Sequence, residues 1–166
     1  MSTCGNSPVL SSESFRDVSP LGQVNNTADV MNALNSALAI GAGGFCGAVL
    51  RFWLSALVRK VVPEDWMFIG TMFVNLLGCL LIGGILVFAA RQIMFSPLTF
   101  QFLLVGVLGS LTTFSTFAAE SLELLREGRF GAAAFHIGMN VVVGMALVWT
   151  GAMIVEHLLP TDAQSQ

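Results

Sequence analysis

Four apolar stretches, each bounded by a short cluster of charged residues, lie along this chain at about 34–58, 67–90, 99–122 and 130–155. At a rise of about 1.5 Å per residue, each of them is long enough as a helix to cross a hydrocarbon core of about 30 Å. The pattern therefore predicts an all-α membrane protein with four transmembrane helices, at about 34–58, 67–90, 99–125 and 130–155.

The two ends of the chain lack this apolar pattern. Residues 1–33 are polar and contain the turn-forming pairs Ser7-Pro8 and Ser19-Pro20. A segment of this kind buries too little apolar surface to order itself, which predicts a disordered N-terminal tail. Residues 158–166 are predicted to form a short C-terminal tail, and residues 34–157 then make up the membrane domain.

Composition and charge exclude several other classes of protein. Hydrophobic residues make up 55% of the chain and charged residues only 10%, whereas a soluble domain carries about 25% charged residues. The net charge is −3, so no basic surface for nucleic acid is predicted. The sequence contains no nucleotide-binding loop, no Ser-His-Asp pattern and no closely spaced cysteine pair. It is therefore not predicted to be an enzyme.

Two ionisable residues interrupt the apolar stretches, Arg51 in the first and Glu120 in the third. A charged group at membrane depth is costly, so it normally faces protein or water and often marks an ion path. Alternatively, each side chain lies near enough to a helix end to reach the lipid headgroups. The residues by themselves leave both interpretations open.

The third stretch carries the sequence TTFSTF at residues 112–117. A run so rich in hydroxyl groups is a poor membrane helix and predicts a break in the third helix. The backbone carbonyls that a break releases are good ligands for a hard cation. Phe114 and Phe117 are three residues apart and lie on roughly one side, where their positive ring edges can approach an anion. Packing in lipid or in a core is the alternative for this pair.

Polar side chains also occur in the second and fourth stretches. Asn75 must find hydrogen-bond partners where water is absent, so its amide either bonds to another helix or donates to an anion in a path. His136, Asn140 and Gly144 are spaced four residues apart and share one helix face. No third ligand accompanies His136 at the spacing of a zinc site, so no such site is predicted.

These residues fall in motifs that resemble one known family. Three motifs occur in order, one in each of the first three helices: Gly43-Gly44-x-x-Gly47-Ala48-x-x-Arg51, Gly70-Thr71-x-x-Val74-Asn75-x-x-Gly78, and Gly109-x-x followed by TTFSTF. Over about residues 36–157 the chain looks like the Fluc (CrcB-type) fluoride channel family of prokaryotic membranes. The resemblance implies an antiparallel, dual-topology homodimer of four-helix subunits in the cell (inner or plasma) membrane, with a broken third helix and two fluoride pores.

The resemblance also implies roles for individual residues. The fluoride pore would be formed by Asn75, Phe114, Phe117, Ser115, Thr116, Glu120, Arg51, His136 and Asn140. A structural sodium ion at the centre of the dimer would be held by the backbone carbonyls of Gly109 and Thr112. Gly144 departs from the family pattern, which usually has a hydroxyl residue there. The implied activity is passive export of cytoplasmic fluoride, with the lipid bilayer and a second copy of the chain as partners.

Two alternatives compete with this interpretation. A small proton-coupled multidrug exporter is also a four-helix, dual-topology dimer, but it needs a carboxylate in helix one, where this chain has Arg51 and no acid. A non-transporting assembly subunit is the second alternative. The small-residue pairs Gly43/Gly47 and Gly44/Ala48 allow close helix packing, which such a subunit would also need. Fluoride efflux from vesicles containing only this chain would separate the three.

Overall fold

The computed structural model describes residues 27–91 and 96–159. They form four helical spans long and apolar enough to cross a membrane: span 1 (Thr27–Arg59), span 2 (Glu64–Ala90), span 3 (Pro97–Arg126) and span 4 (Phe130–Leu158). This confirms the predicted all-α architecture with four transmembrane helices. The chain divides into two compact units between Leu34 and Asn35. Of the first unit, only the helical residues 27–34 are described, and the packing given below lies within the second.

Span 1 is one continuous α-helix, Thr27–Arg59, and it begins earlier than the start predicted at residue 34. Val30, Leu34 and Leu38 recur at every fourth position, which is the spacing of an apolar helix face. Asp29 lies in the first turn, where its charge complements the helix dipole. These local preferences extend the helix into the segment that composition assigned to a tail. The rest of that predicted tail, residues 1–26, and residues 160–166 lie outside the described residues.

Span 2 begins with a short 3-10 turn, Glu64–Trp66, and continues as the α-helix Ile69–Ala90. Its most extensive contact is with span 4. Glycines make this approach possible, because a Cβ at Gly83 would overlap the carbonyl oxygen of Val148 and a Cβ at Gly151 would overlap that of Leu80. The two backbones therefore touch directly, as small residues permit in membrane helices.

Spans 1 and 3 meet in the same manner. A Cβ at Gly43 would overlap the carbonyl oxygen of Phe102, and a Cβ at Gly106 would lie 2.8 Å from the Cα of Gly43. A Cβ at Gly47 would overlap the carbonyl oxygen of Val107. These contacts confirm the close packing predicted for the Gly43/Gly47 pair.

Span 3 consists of several helical segments. An α-helical turn, Pro97–Phe100, starts at Ser96, whose hydroxyl accepts from the Thr99 N–H at 3.2 Å. A π-helix, Gln101–Leu108, and a short α-helical turn, Gly109–Leu111, follow. Thr112 and Thr113 then adopt extended backbone angles, and the α-helix Phe114–Arg126 completes the span.

The turn between spans 3 and 4 depends on one glycine. Gly128 has φ +73°, a conformation that favours glycine. The Gly128 N–H donates to Leu125 O at 3.1 Å, and the Arg129 N–H donates to Leu124 O at 2.9 Å. This is the Schellman pattern that ends a helix and reverses the chain. Span 4 follows as Phe130–Gly138, a π-helix over Met139–Val143, and the α-helix Gly144–Leu158.

Candidate functional site: a polar track across spans 2, 3 and 4

A line of hydrogen-bonding side chains runs between spans 2, 3 and 4, and we call it the polar track. Its members are Thr71, Asn75, Glu120, His136 and Asn140. Thr71 and Asn75 lie on span 2, Glu120 on span 3, and the other two on span 4. Spacings of four residues place each pair from the same helix on one face, which turns towards the third span.

The centre of the track is Asn75, which bonds to the backbone of Thr113. The Thr113 N–H donates to Asn75 Oδ1 at 2.9 Å, and Asn75 Nδ2 donates to Thr113 O at 3.4 Å. Because Thr112 and Thr113 are extended, the Thr113 N–H has left the helical pattern in which it would bond to Gly109 O. The Asn75 side-chain oxygen takes the place of Gly109 O as the acceptor for this N–H. Asn75, which the sequence predicted to need hydrogen-bond partners, therefore has one in the Thr113 backbone.

From Asn75 the track continues into span 4. Asn75 Nδ2 donates to Asn140 Oδ1 at 3.0 Å. Asn140 Nδ2 in turn donates to the backbone oxygen of His136 at 2.9 Å and lies 3.4 Å from His136 Nδ1. Asn75 therefore makes the interhelical hydrogen bond that was one of its two predicted alternatives, and Asn140 accepts that bond while donating within its own helix.

His136 and Glu120 form the other end of the track. His136 Nε2 lies 3.6 Å from Glu120 Oε2, and Thr71 Oγ1 donates to Glu120 Oε1 at 2.8 Å. The imidazole of His136 is 0% exposed. The rings of Phe68 and Phe117 flank it, with centroids at 5.0 and 5.2 Å. Glu120 therefore points into the protein rather than towards a helix end.

The two phenylalanines of the hydroxyl run differ sharply in burial. Phe117 is 9% exposed and packs on His136, whereas Phe114 is 79% exposed. Their ring centroids are 5.5 Å apart and the planes are inclined by 59°. Ser115 and Thr116 are exposed, and both hydroxyls lie within hydrogen-bond distance of Thr113 Oγ1, at 3.2 and 3.1 Å.

A cavity of about 320 Å³ adjoins the track at the two extended residues. Six residues predicted for the pore or the sodium site line it: Asn75, Gly109, Thr112, Phe114, Phe117 and Asn140. Phe114, Asn75 and Asn140 thus reach one space from three different spans. The lining thus combines two amide side chains with two phenyl rings.

Family comparison decides what kind of membrane protein contains this site. The family described as "CrcB-like protein, Camphor Resistance (CrcB)" matches residues 38–152. The chain belongs to the CrcB family. The match includes every residue of the polar track and the cavity, together with Arg51. The members of this family described next are named as ion channels, which agrees with the prediction that the chain is not an enzyme.

Individual members of the CrcB family are similar over most of their length. A protein of Methylobacillus flagellatus is 41% identical over 120 residues, which cover 72% of this chain and 93% of the relative. One from Campylobacter jejuni is 41% identical over 121 residues, 73% of this chain and 98% of the relative. One from Salinibacter ruber is 47% identical over 117 residues, which cover 69% of this chain and 85% of the relative. Each of the three is named "Fluoride-specific ion channel FluC".

Two predicted positions of this CrcB-family chain lie away from the track. Arg51 is half-buried on span 1 and is not among the residues that line the cavity. Gly144 is buried and follows Asn140 on the same helix face, and a Cβ there would lie 3.3 Å from Cys79 Sγ and 3.9 Å from a Leu76 methyl carbon. The Cys79 thiol therefore occupies the space next to the missing side chain.

Sequence reasoning missed two members of the site. Thr71 lies four residues before Asn75 and so shares its helix face, but this spacing does not identify Glu120 as the partner of its hydroxyl. Phe68 packs edge-on against His136 with an interplanar angle of 68°. Nothing in the sequence signals this contact, because it depends on where the first loop places the start of span 2.

Proposed function

We propose that this chain is a passive, fluoride-specific ion channel of the cell membrane that exports cytoplasmic fluoride. The names of the relatives support fluoride as the conducted ion, and the four apolar spans support a multi-pass location in the inner or plasma membrane. One observation carries the proposal: a cavity in which an amide and two phenyl rings converge within the apolar spans. In acidic surroundings HF enters a cell and dissociates, so a passive channel lets the trapped anion leave.

The chemistry of the cavity suits fluoride. Fluoride holds its water tightly, so a selective path must replace that water by closely spaced donors. Asn75 Nδ2 has one short bond, to Asn140, and one long bond, to Thr113 O at 3.4 Å. The longer bond leaves an N–H that a small anion can take, and the edges of Phe114 and Phe117 add partial positive charge. None of these groups is a fixed cation that would hold the ion too long.

The pore is proposed to form in an antiparallel, dual-topology homodimer with two pores. The supporting observation is that Phe114 is 79% exposed and that the neighbouring Ser115 and Thr116 hydroxyls are exposed in the middle of an apolar span. Polar groups facing lipid at that depth are costly. A second copy of the chain would cover them and close the open side of the cavity.

A structural sodium ion at the centre of that dimer is also proposed, at a break in the third helix. Two carbonyls have lost their usual helical donors. The Thr113 N–H, four residues after Gly109, donates to Asn75 Oδ1 at 2.9 Å, and the Thr116 N–H, four residues after Thr112, donates to Thr113 Oγ1 at 3.4 Å. The Gly109 and Thr112 oxygens are therefore available, and carbonyl oxygens are the ligands that a hard cation prefers. When bound, sodium would supply positive charge that holds the two copies together.

Efflux from proteoliposomes containing only this chain tests the function. Vesicles loaded with equal fluoride and chloride are diluted into a medium free of both ions, with a potassium ionophore to carry the compensating charge. We expect fluoride to leave rapidly and chloride to stay. Fluoride retention equal to that of protein-free vesicles would rule out the channel. Equal release of both ions would rule out specificity and leave a non-selective pore.

A further inference from the structure

The two ionisable side chains of the polar track face each other with unsatisfied atoms. Glu120 Oε2 and His136 Nε2 are 3.6 Å apart, and neither has a hydrogen-bond partner within the described residues. Thr71 bonds to the other oxygen of Glu120, and Asn140 lies beside the other nitrogen of His136. A buried polar atom without a partner is costly. A single proton placed between these two atoms would satisfy both.

Glu120 also opens onto a second cavity, of about 240 Å³, at the end of the track. The charged residues that line it are Glu64, Asp65, Glu120, Glu123, Glu127 and Arg129. On span 1, the Arg59 side chain lies near Gly70 and acts electrostatically on Glu120. Five carboxylates with one arginine make this cavity acidic, and we call it the acidic mouth. Under the proposed function, an anion that leaves the track beside Glu120 would enter this acidic mouth.

We propose that Glu120 and His136 hold one proton between them, and that fluoride passes this end of the track only while the proton is held. The inference rests on the proposed function. With the proton the pair is neutral overall, whether the proton lies on oxygen or on nitrogen. Without it the pair carries one negative charge, which repels an anion at close range. The proton exchanges with water of the acidic mouth, and fluoride itself is neither protonated nor consumed.

The arrangement of neighbours suits this role. The Phe68 and Phe117 rings flank the imidazole, and Glu120 Oε2 lies 3.6 Å from its Nε2. Thr71 fixes Glu120 through Oε1, which directs Oε2 at the imidazole. A carboxylate and an imidazole this close titrate as one coupled pair, so loss of the shared proton should appear as a dependence of flux on pH.

The test is fluoride efflux measured with equal pH on both sides of the membrane, from about pH 5.5 to about pH 8. Equal pH removes any effect of orientation, and leak of HF is subtracted with protein-free vesicles at each pH. We expect flux to be about tenfold higher at the acidic end, equal to roughly 1.4 kcal/mol in the barrier. Flux that is present but independent of pH would overturn this inference and leave the channel intact. Absence of fluoride flux at every pH would overturn the proposed function itself.

Variants separate the pair from general charge effects. Glu120→Gln keeps an acceptor for Thr71 but cannot become negative, so its flux should be high and flat with pH. His136→Gln leaves only the Glu120 carboxyl to hold the proton, so its flux should be low near neutral pH and should rise only at a more acidic pH than in the parent. Glu123→Gln removes a carboxylate from the acidic mouth and should keep the tenfold ratio. Glu156→Gln, an exposed carboxylate at the far end of span 4, should match the parent. A parental pH profile in Glu120→Gln contradicts the proposal.

A second measurement does not depend on conduction. The chain has two histidines, so His157→Gln leaves His136 as the single imidazole for nitrogen NMR. Its signals should titrate across the same pH range as flux, and adding Glu120→Gln should shift that titration. A His136 signal that does not respond to loss of the carboxylate would show that the two groups share no proton.

Discussion

The Asn75 amide and the backbone of Thr113 form two hydrogen bonds in opposite directions, from Thr113 N–H to Oδ1 at 2.9 Å and from Nδ2 to Thr113 O at 3.4 Å. A side chain of span 2 thus satisfies a peptide group that the extended residues of span 3 leave outside the helical pattern. The same amide reaches Asn140 on span 4. One residue therefore links the backbone geometry of the third span to the polar track.

Replacement of Asn75 should separate its structural role from its proposed role as a donor to fluoride. Asn75→Asp keeps the acceptor for the Thr113 N–H but removes both donor hydrogens and adds negative charge. We expect it to abolish fluoride flux with a smaller loss of thermal stability than Asn75→Leu, because the Thr113 N–H keeps its acceptor while the Asn140 and Thr113 oxygens lose their donor. Asn75→Leu removes all three hydrogen bonds of the amide and should cost about 1–3 kcal/mol of stability. Fluoride flux of the parental rate in Asn75→Asp would show that this amide does not contact the ion.

The phenylalanine pair should act through ring electrostatics. Phe114→Ile keeps much of the apolar volume and removes the positive ring edge, so flux should fall at least about tenfold, or roughly 1.4 kcal/mol in the barrier. Phe114 is 79% exposed within the subunit, so its own fold should not change. Phe117→Ile should reduce flux similarly and also lower stability, because Phe117 packs on His136. Phe73→Ile, on span 2 outside the cavity lining, is the control. If Phe114→Ile and Phe117→Ile both conduct fluoride at the parental rate, the two rings contribute only to packing and not to the pore.

The proposed sodium site predicts a dependence on the cation present. Dimers in sodium should be more stable to heat or dilution than dimers in a large organic cation such as N-methylglucamine. Thr112→Ser keeps the backbone ligand and should preserve this difference. A Cβ at Gly109 meets only Leu104 O, at 3.8 Å, within the subunit. Loss of the dimer in Gly109→Ala would therefore report on the second copy, whereas equal stability in both cations would exclude a structural sodium ion.

Close packing of spans 2 and 4 should make Gly151 intolerant of any side chain. Gly151→Ala would drive a methyl group into the Leu80 carbonyl, and we expect it to destabilise the protein by about 1–3 kcal/mol. Gly41→Ala is the matched control, since a Cβ there meets nothing within 4 Å and alanine favours a helix. Thermal melting in detergent measures both. A Gly151→Ala variant as stable as Gly41→Ala would contradict the backbone contact.

Deletion of residues 1–26 should leave fluoride efflux within a few-fold of the intact chain. The family match begins at residue 38, and the Campylobacter jejuni relative is covered over 98% of its own length by 121 aligned residues. Deletion of residues 1–40 is a stricter comparison, because it also removes the first turns of span 1 and should impair insertion. Complete loss of flux in the shorter deletion would assign residues 1–26 to the channel.

The sequence by itself determined the four spans, because apolar runs bounded by charges report directly on where a chain can lie in lipid. It also identified the family, since spaced glycines and TTFSTF are local patterns. The sequence did not determine the bounds of every helix. Span 1 begins at Thr27 and not at the predicted residue 34, because its first turns depend on helix propensity within a polar segment.

Only the tertiary structure decided which polar groups meet. Thr71 and Glu120 are 49 residues apart in the chain, and Asn75 and Asn140 are 65 apart. Periodicity places each on a helix face, but the rotation and depth of each span are set by glycine contacts such as Gly83 on Val148. The burial of His136 between Phe68 and Phe117 likewise requires three spans in register. Hydrogen bonds between helices depend on distances of a few ångströms, and only the packed backbones determine those distances.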